Sequence, residues 1–182
     1  HNEGKEFAIK GFESSQNIKE LNLVIQGNNF DYSNTFEKIL TLKNLEILSI
    51  DITSDNQLHT AVLEISNMPK VRILNIVLEM IMEETLFITL HSKIFQMKGL
   101  QTFSYELGPS ALLSTRCIKK LFKELETHSS LEYCSLKWVP EDEHTLEIIS
   151  NEAKRIFEIN KILKRLSYMD DQKENSLILS RR

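Results

Sequence analysis

The side chains whose types suit chemistry are His59, His91, His128 and His144, the cysteines Cys117 and Cys134, and the carboxylate pairs Glu83-Glu84 and Asp170-Asp171. Imidazoles and thiols bind metals or act as nucleophiles, and paired carboxylates share a proton, only when the fold gathers them in one place. Their spacing argues against this. There is no Gly-x-Ser-x-Gly, no glycine-rich phosphate loop ending in Lys-Ser/Thr, no His-Glu-x-x-His and no Cys-x-x-Cys. The histidines fall in or beside helices of different units, which separates them by a helix spacing of roughly 8–10 Å, too far for shared ligation. His128 and Cys134 are near in sequence but lack a third, orienting group. The carboxylate pairs fall at a helix start and after a helix end, where capping and solubility account for them. Gln26-Gly27-Asn28-Asn29 reads as a turn and not as a phosphate cradle. The expectation is a chain with no catalytic residues, no metal and no cofactor, and so not an enzyme.

The elements that position these side chains repeat. Five segments align: Ile18-Lys-Glu-Leu21-Asn-Leu23-Val-Ile25, Leu45-Glu-Ile-Leu48-Ser-Ile50-Asp-Ile52, Val71-Arg-Ile-Leu74-Asn-Ile76-Val-Leu78, Leu100-Gln-Thr-Phe103-Ser-Tyr105-Glu-Leu107 and Leu131-Glu-Tyr-Cys134-Ser-Leu136-Lys-Trp138. Each is apolar at positions one, four, six and eight, and their starts at 18, 45, 71, 100 and 131 are 27, 26, 29 and 31 residues apart. Alternation in the second half of each segment predicts a strand with one buried face. Between them, apolar residues recur every three or four positions, predicting amphipathic helices. These run about Asn34 to Thr41 (Phe36, Ile39, Leu40), over Leu58, Ala61, Val62 and Ile65 behind a capping box at Ser54 to Gln57, about Glu83 to Gln96 (Leu86, Leu90, Ile94), and Ser114 to Thr127 (Cys117, Ile118, Leu121, Phe122, Leu125).

Five alternations of strand and helix imply right-handed crossovers and a parallel sheet. A doubly wound sheet buries both faces, whereas a horseshoe leaves one face to water. Position five separates the two, being Asn22, Ser49, Asn75, Ser104 and Ser135, small and polar in every unit. Buried without partners, each would cost roughly 1–3 kcal/mol, which favours the horseshoe over the doubly wound alternative. Position seven agrees at Asp51, Glu106 and Lys137 but not at Val24 and Val77, and position three carries Ile47, Ile73 and Tyr133.

These segments resemble the leucine-rich repeat signature L-x-x-L-x-L, and the period with intervening helices is similar to the ribonuclease-inhibitor-like subclass. The likeness covers roughly Ile18 to Trp138. It implies an α/β fold: a right-handed β-α solenoid with parallel strands on a concave face and helices on a convex one, used in that family mainly for protein recognition. The family's Asn following the strand is replaced here by Gln26, Thr53, Glu79, Gly108 and Val139, so the repeats are divergent.

The organisation expected is a lead-in over 1–17, with Phe7 to Phe12 as an incomplete leading strand, about five repeats over 18–139, a C-terminal capping helix over 140–169 and a tail over 170–182. Pro140-Glu141-Asp142-Glu143 supplies a helix start, and Leu146, Ile149, Ala153, Ile156, Ile159, Leu163 and Leu166 a stripe along the helix. The other face, with Lys154, Arg155, Lys161, Lys164 and Arg165, reads as solvated or as a docking surface for an acidic partner. The tail reads as a linker, a tag-proximal end or, through Leu177-Ile178-Leu179, a short strand.

Composition limits the partners. The chain has 182 residues, is 41% hydrophobic and carries a formal net charge of -4, too little to mark a nucleic-acid binder. No apolar run suits a membrane span, no signal peptide opens the chain, and no Asn-x-Ser/Thr sequon or disulfide framework is present, so an intracellular, cytoplasmic setting is expected. The start at His1 without Met reads as an excised fragment or a tag remnant, and the chain is expected to be part of a larger chain or complex. The leading functional reading is a non-catalytic module binding a protein partner through Glu20, Asn22, Val24, Ser49, Asp51, Asn75, Val77, Ser104, Glu106, Tyr133, Ser135 and Lys137 on the concave face. The alternative is a structural segment of a larger solenoid or assembly, docking through the C-terminal helix.

Overall fold

The alternation of apolar and polar side chains requires each strand to bury one face, and in the computed structural model every repeat does so. The structure describes residues 17–25, 32–52, 64–78, 83–108, 113–139, 142–169 and 176–181. The strands are β1 (Glu20–Ile25), β2 (Ile47–Ile52), β3 (Ile73–Leu78), β4 (Thr102–Leu107), β5 (Tyr133–Lys137), β6 (Arg165–Met169) and β7 (Ser176–Ser180). Between them lie helices α1 (Tyr32–Leu40), α2 (Glu84–Ile94), α3 (Thr115–Thr127) and α4 (Glu143–Ile159), and a 3₁₀ turn at Ile65–Asn67. The strands form one sheet in chain order, β1 to β6 parallel and β7 antiparallel. A doubly wound sheet would reverse its order at a switch point; this one never does.

Equivalent positions pair across the whole sheet. Leu21, Leu48, Leu74, Phe103, Cys134 and Leu166 lie side by side at position four. A backbone ladder at the strand entrances fixes that register. The position-two carbonyls of Lys19, Glu46, Arg72, Gln101 and Glu132 each accept two amides from the following repeat at 2.7–3.1 Å, as in Glu46 N and Ile47 N to Lys19 O. Positions four, six and eight point into a single core with α1 to α4, where Leu48, Leu74, Phe103, Leu136 and Trp138 are fully buried. Trp138 meets Tyr168 edge-on at 5.2 Å, and the Tyr168 hydroxyl donates to the Trp138 carbonyl at 3.1 Å.

Helix starts follow local capping chemistry. Ser114 Oγ accepts from the Cys117 amide before α3, and Asp142 accepts from the Thr145 amide at 2.6 Å before α4. The Thr145 amide and hydroxyl hold the Asp142 carboxyl below its usual range. In α2 the buried residues are Phe87, Leu90, His91 and Ile94, while Leu86 is only half buried. The leading strand over Phe7 to Phe12, the Gln26 to Asn29 turn, the capping box at Ser54 to Gln57, the helical positions Leu58, Ala61 and Val62, and Pro140 lie outside the described residues.

The C-terminal part differs from its sequence reading. The helix ends at Ile159, and Leu163 and Leu166 belong to a further repeat, Leu163-Lys164-Arg165-Leu166-Ser167-Tyr168, whose strand β6 extends the parallel sheet. Asn160 is the physical reason for the stop. Its side-chain amide donates to the carbonyls of Leu125 (2.8 Å) and His128 (3.1 Å), and its Oδ1 accepts the amides of Ile162 (3.0 Å) and Leu163 (3.3 Å). Four bonds to one buried side chain turn the backbone out of the helix and aim it into β6. Ile159, expected in the buried stripe, is 50% exposed. The Leu177-Ile178-Leu179 segment forms the antiparallel strand β7.

Candidate functional site

Positions three, five and seven of each strand point away from the helices. Among the described residues no helix covers them, and they range from half-buried to exposed over β1 to β5. The strand register brings all the residues expected on this face together. Asn22, Ser49, Asn75, Ser104 and Ser135 make a central row, and Val24, Asp51, Val77, Glu106 and Lys137 the row on the C-terminal side. The third row runs Glu20, Ile47, Ile73, Thr102 and Tyr133.

Small side chains in the central row hold one another. Asn75 Nδ2 donates to Ser49 Oγ at 3.0 Å, and Asn22 Nδ2 to Glu20 at 3.3 Å. Lys137 pairs with Glu106 at 2.6 Å. Val24 (61%) and Tyr133 (43%) are large apolar groups left exposed at opposite ends of this five-strand surface.

The sequence reading omitted β6 from this face. Ser167 continues the central row and Arg165 lies beside Tyr133 in the third. Arg165 therefore sits on the open face and not on a docking helix. The remaining cations of that expected helix face are also dispersed. Lys154 and Arg155 are on α4, Lys161 is in the turn behind it, and Lys164 precedes β6. Arg155 is bound to Glu126 (3.0 Å) and Glu152 (2.8 Å), and Lys164 to Glu132 (2.6 Å). Those carboxylates raise the pKa of both cations.

The side chains suited to chemistry are kept apart. His91 is buried on α2, with Nδ1 bonded to the Phe87 carbonyl at 2.7 Å, its ring edge-on to Tyr105 at 4.6 Å, and Nε2 without a partner. Burial lowers its pKa from 6.5 to about 4, against a smaller opposing effect of the Phe87 carbonyl. His128 accepts the Leu131 amide at 3.1 Å, which makes its Nδ1 the unprotonated nitrogen. Burial lowers its pKa too, and the Met97 carbonyl, which approaches without hydrogen-bond geometry, offsets this in part. Both cysteines are free and buried, and burial pushes their thiols up, away from the reactive thiolate. His144 is exposed at the start of α4, and His59 and the Asp170-Asp171 pair lie outside the described residues. No group of three or more His, Cys, Asp or Glu among the described residues could hold a metal ion, and no described helix is long and apolar enough to cross a membrane.

A parallel sheet of in-register repeats, with helices or a 3₁₀ turn between its successive parallel strands, is a leucine-rich-repeat-like arrangement. Among solved structures the chain is similar to a tropomodulin C-terminal domain from the structural genomics of Caenorhabditis elegans. The two superpose with a TM-score of 0.61 over 85% of this chain and 94% of that one, at 15% sequence identity. The likeness is one of fold. No protein-family model matches the chain, and no curated protein does.

Proposed function

We propose that this chain is a non-catalytic protein-binding module, a right-handed solenoid whose concave strand face receives the partner. The observation that carries the reading is the uncovered central row of small polar side chains from Asn22 to Ser135, flanked by apolar and charged groups. Val24 and Tyr133 offer a partner apolar contacts at the two ends of the face, and a face meant for another layer of the same fold would not carry Asp51, Glu106 and Lys137. Small central residues let a partner approach the sheet closely, and the mixed border gives it anchors and register. Glu20 and Asp51 lie on the β1–β2 side and Arg165 on the β6 side, so the partner best matched presents a cation toward β1 and a carboxylate toward Arg165. The same acidic side opposes a polyanion, which disfavours nucleic acid. The neighbouring fold supports the architecture of this reading, and the cytoplasmic setting stays part of the proposal.

An affinity capture with wild type and with the Asp51→Arg, Tyr133→Ala double variant tests it. The expected result is that a partner held by wild type is lost by the variant while the melting temperature is kept. Retention of every wild-type partner by the folded variant would overturn the concave site.

A further inference from the structure

The outer edge of β7 is the C-terminal end of the sheet, and among the described residues no strand pairs with it. Its sequence, Ser176-Leu177-Ile178-Leu179-Ser180, reads the same in both directions. We propose that this edge pairs with the same edge of a second copy of the chain, antiparallel and centred on Ile178. That register sets Ile178 against its own counterpart, Ser176 against Ser180 and Leu177 against Leu179.

Hydrogen-bond direction agrees with this register. Residues of a strand turn their N–H and C=O groups alternately to the two sides. The Arg181 amide donates inward to the Lys164 carbonyl at 2.9 Å, so Leu179 and Leu177 also face β6, across from Leu166 and Tyr168. Ser176, Ile178 and Ser180 are left with their amides and carbonyls facing outward. Pairing about Ile178 matches these three with the same three of the second copy and leaves none of them over. A register shifted by one residue would oppose outward groups with inward ones.

Side chains agree as well. Of the six large apolar residues left exposed among the described residues, Ile159, Ile162, Met169 and Ile178 gather at this end. Leu177 and Leu179 lie half-buried against the core, each covered on one flank only, and a second copy would set a leucine beside each. Edge strands exposed to water are ordinarily guarded by charge or proline, and β7 contains neither. The adjacent cation is turned away, since Arg181 donates to the Asn160 carbonyl at 2.9 Å and lies over the Phe157 ring at 4.3 Å. In a twofold contact residue i meets j and j meets i, and the palindrome then sets leucine against leucine and serine against serine along the whole edge, which favours a second copy over an unrelated strand.

The pairing is short, so the dimer forms reversibly with concentration. Sedimentation equilibrium of wild type, Ile178→Lys, Ile178→Glu and an equimolar mixture of the two variants tests it. Because Ile178 meets only its own counterpart, each variant opposes like charges and the mixture opposes unlike ones. The expected result is a wild-type monomer–dimer equilibrium, a dissociation constant raised tenfold or more in each variant alone, and recovery of dimer in the mixture. A wild type that stays monomeric, variants that dimerise as wild type does, or a mixture no better than its components would each overturn the proposal. A second readout stands apart from the charge variants. Under oxidation Ile178→Cys should form a covalent dimer, since directly opposed residues lie within disulfide reach at about 5.5 Å between Cα atoms. Ser176→Cys, which would face Ser180, should not. Equal cross-linking of the two, or none by Ile178→Cys, would overturn the register.

Discussion

His91 has no solvent and no anion to stabilise a second proton. Its Nδ1–H is spent on the Phe87 carbonyl, and its bare Nε2 lies within a cluster that includes Phe87, Phe103 and Tyr105. With a pKa near 4 when folded against an ordinary 6.5 when unfolded, only the unfolded chain binds the proton between those values. Stability is therefore fully present above pH 6.5 and is lost as pH falls toward 4, by about 3 kcal/mol in all. His128 shifts in the same direction and adds to the slope. Urea titrations at pH 7 and pH 4.5 should show the wild-type midpoint dropping, and His91→Phe should remove most of the drop while keeping the His128 share. An unchanged slope in that variant would mean another group carries it. Asn160 makes the second prediction at this scale. Asn160→Ala leaves the Leu125 and His128 carbonyls and the Leu163 amide short of partners, and should cost about 3 kcal/mol in a denaturant titration. Neither role is legible from the sequence, where His91 is one more helical histidine and Asn160 one more polar residue beside a lysine. What marks them is burial, which the sequence does not display.

Elements were more legible than residues, because a repeated pattern is read several times over. Strands β1 to β5 and helices α1, α2 and α3 fall where apolar spacing predicts them, within a residue or two. The sixth repeat was hidden by a coincidence of periods. Ile156, Ile159, Leu163 and Leu166 are spaced by three, four and three residues, which is a helical stripe, yet the same Leu163 and Leu166 open the strand motif L-x-x-L. Ser167 at position five and Tyr168 at position six were the available signal. Asp170 in place of the apolar eighth residue concealed it. The energetic consequence is that β6 is a full member of the core. Leu166→Ala, at a position 1% exposed and packed beside Cys134, should cost about 2–5 kcal/mol, as core truncations do, where a residue on a peripheral capping helix would cost far less. Tyr168→Phe, which loses the bond to the Trp138 carbonyl, should cost about 1 kcal/mol. Thermal unfolding of the two variants side by side checks the ratio.

At the scale of the whole molecule the sheet runs in chain order, so each repeat touches mainly its neighbours. The open face was legible for the same reason: the polar fifth position recurs in every repeat, and equivalent positions of the strand segments pair across the sheet although the repeats differ in length. Its continuation into β6, which brings Arg165 onto the face, was lost along with the sixth repeat. A linear stack also sets how damage spreads. In a globular core a truncation weakens every element together, whereas in a nearest-neighbour stack the loss is felt first by the repeat that bears it and the one beside it. Leu21 is buried in β1 at one end of the sheet, and Leu166 in β6 five strands away. Leu21→Ala should therefore lower amide-exchange protection in β1 and β2 by tenfold or more, from a local loss on the order of 2 kcal/mol. The amides of β5 and β6 should keep wild-type protection within about threefold. Leu166→Ala should give the reverse pattern. Native-state hydrogen exchange on both variants reads the two ends in one experiment, and a uniform loss across all strands would show instead that the stack opens as one cooperative unit, its ends coupled through the shared core.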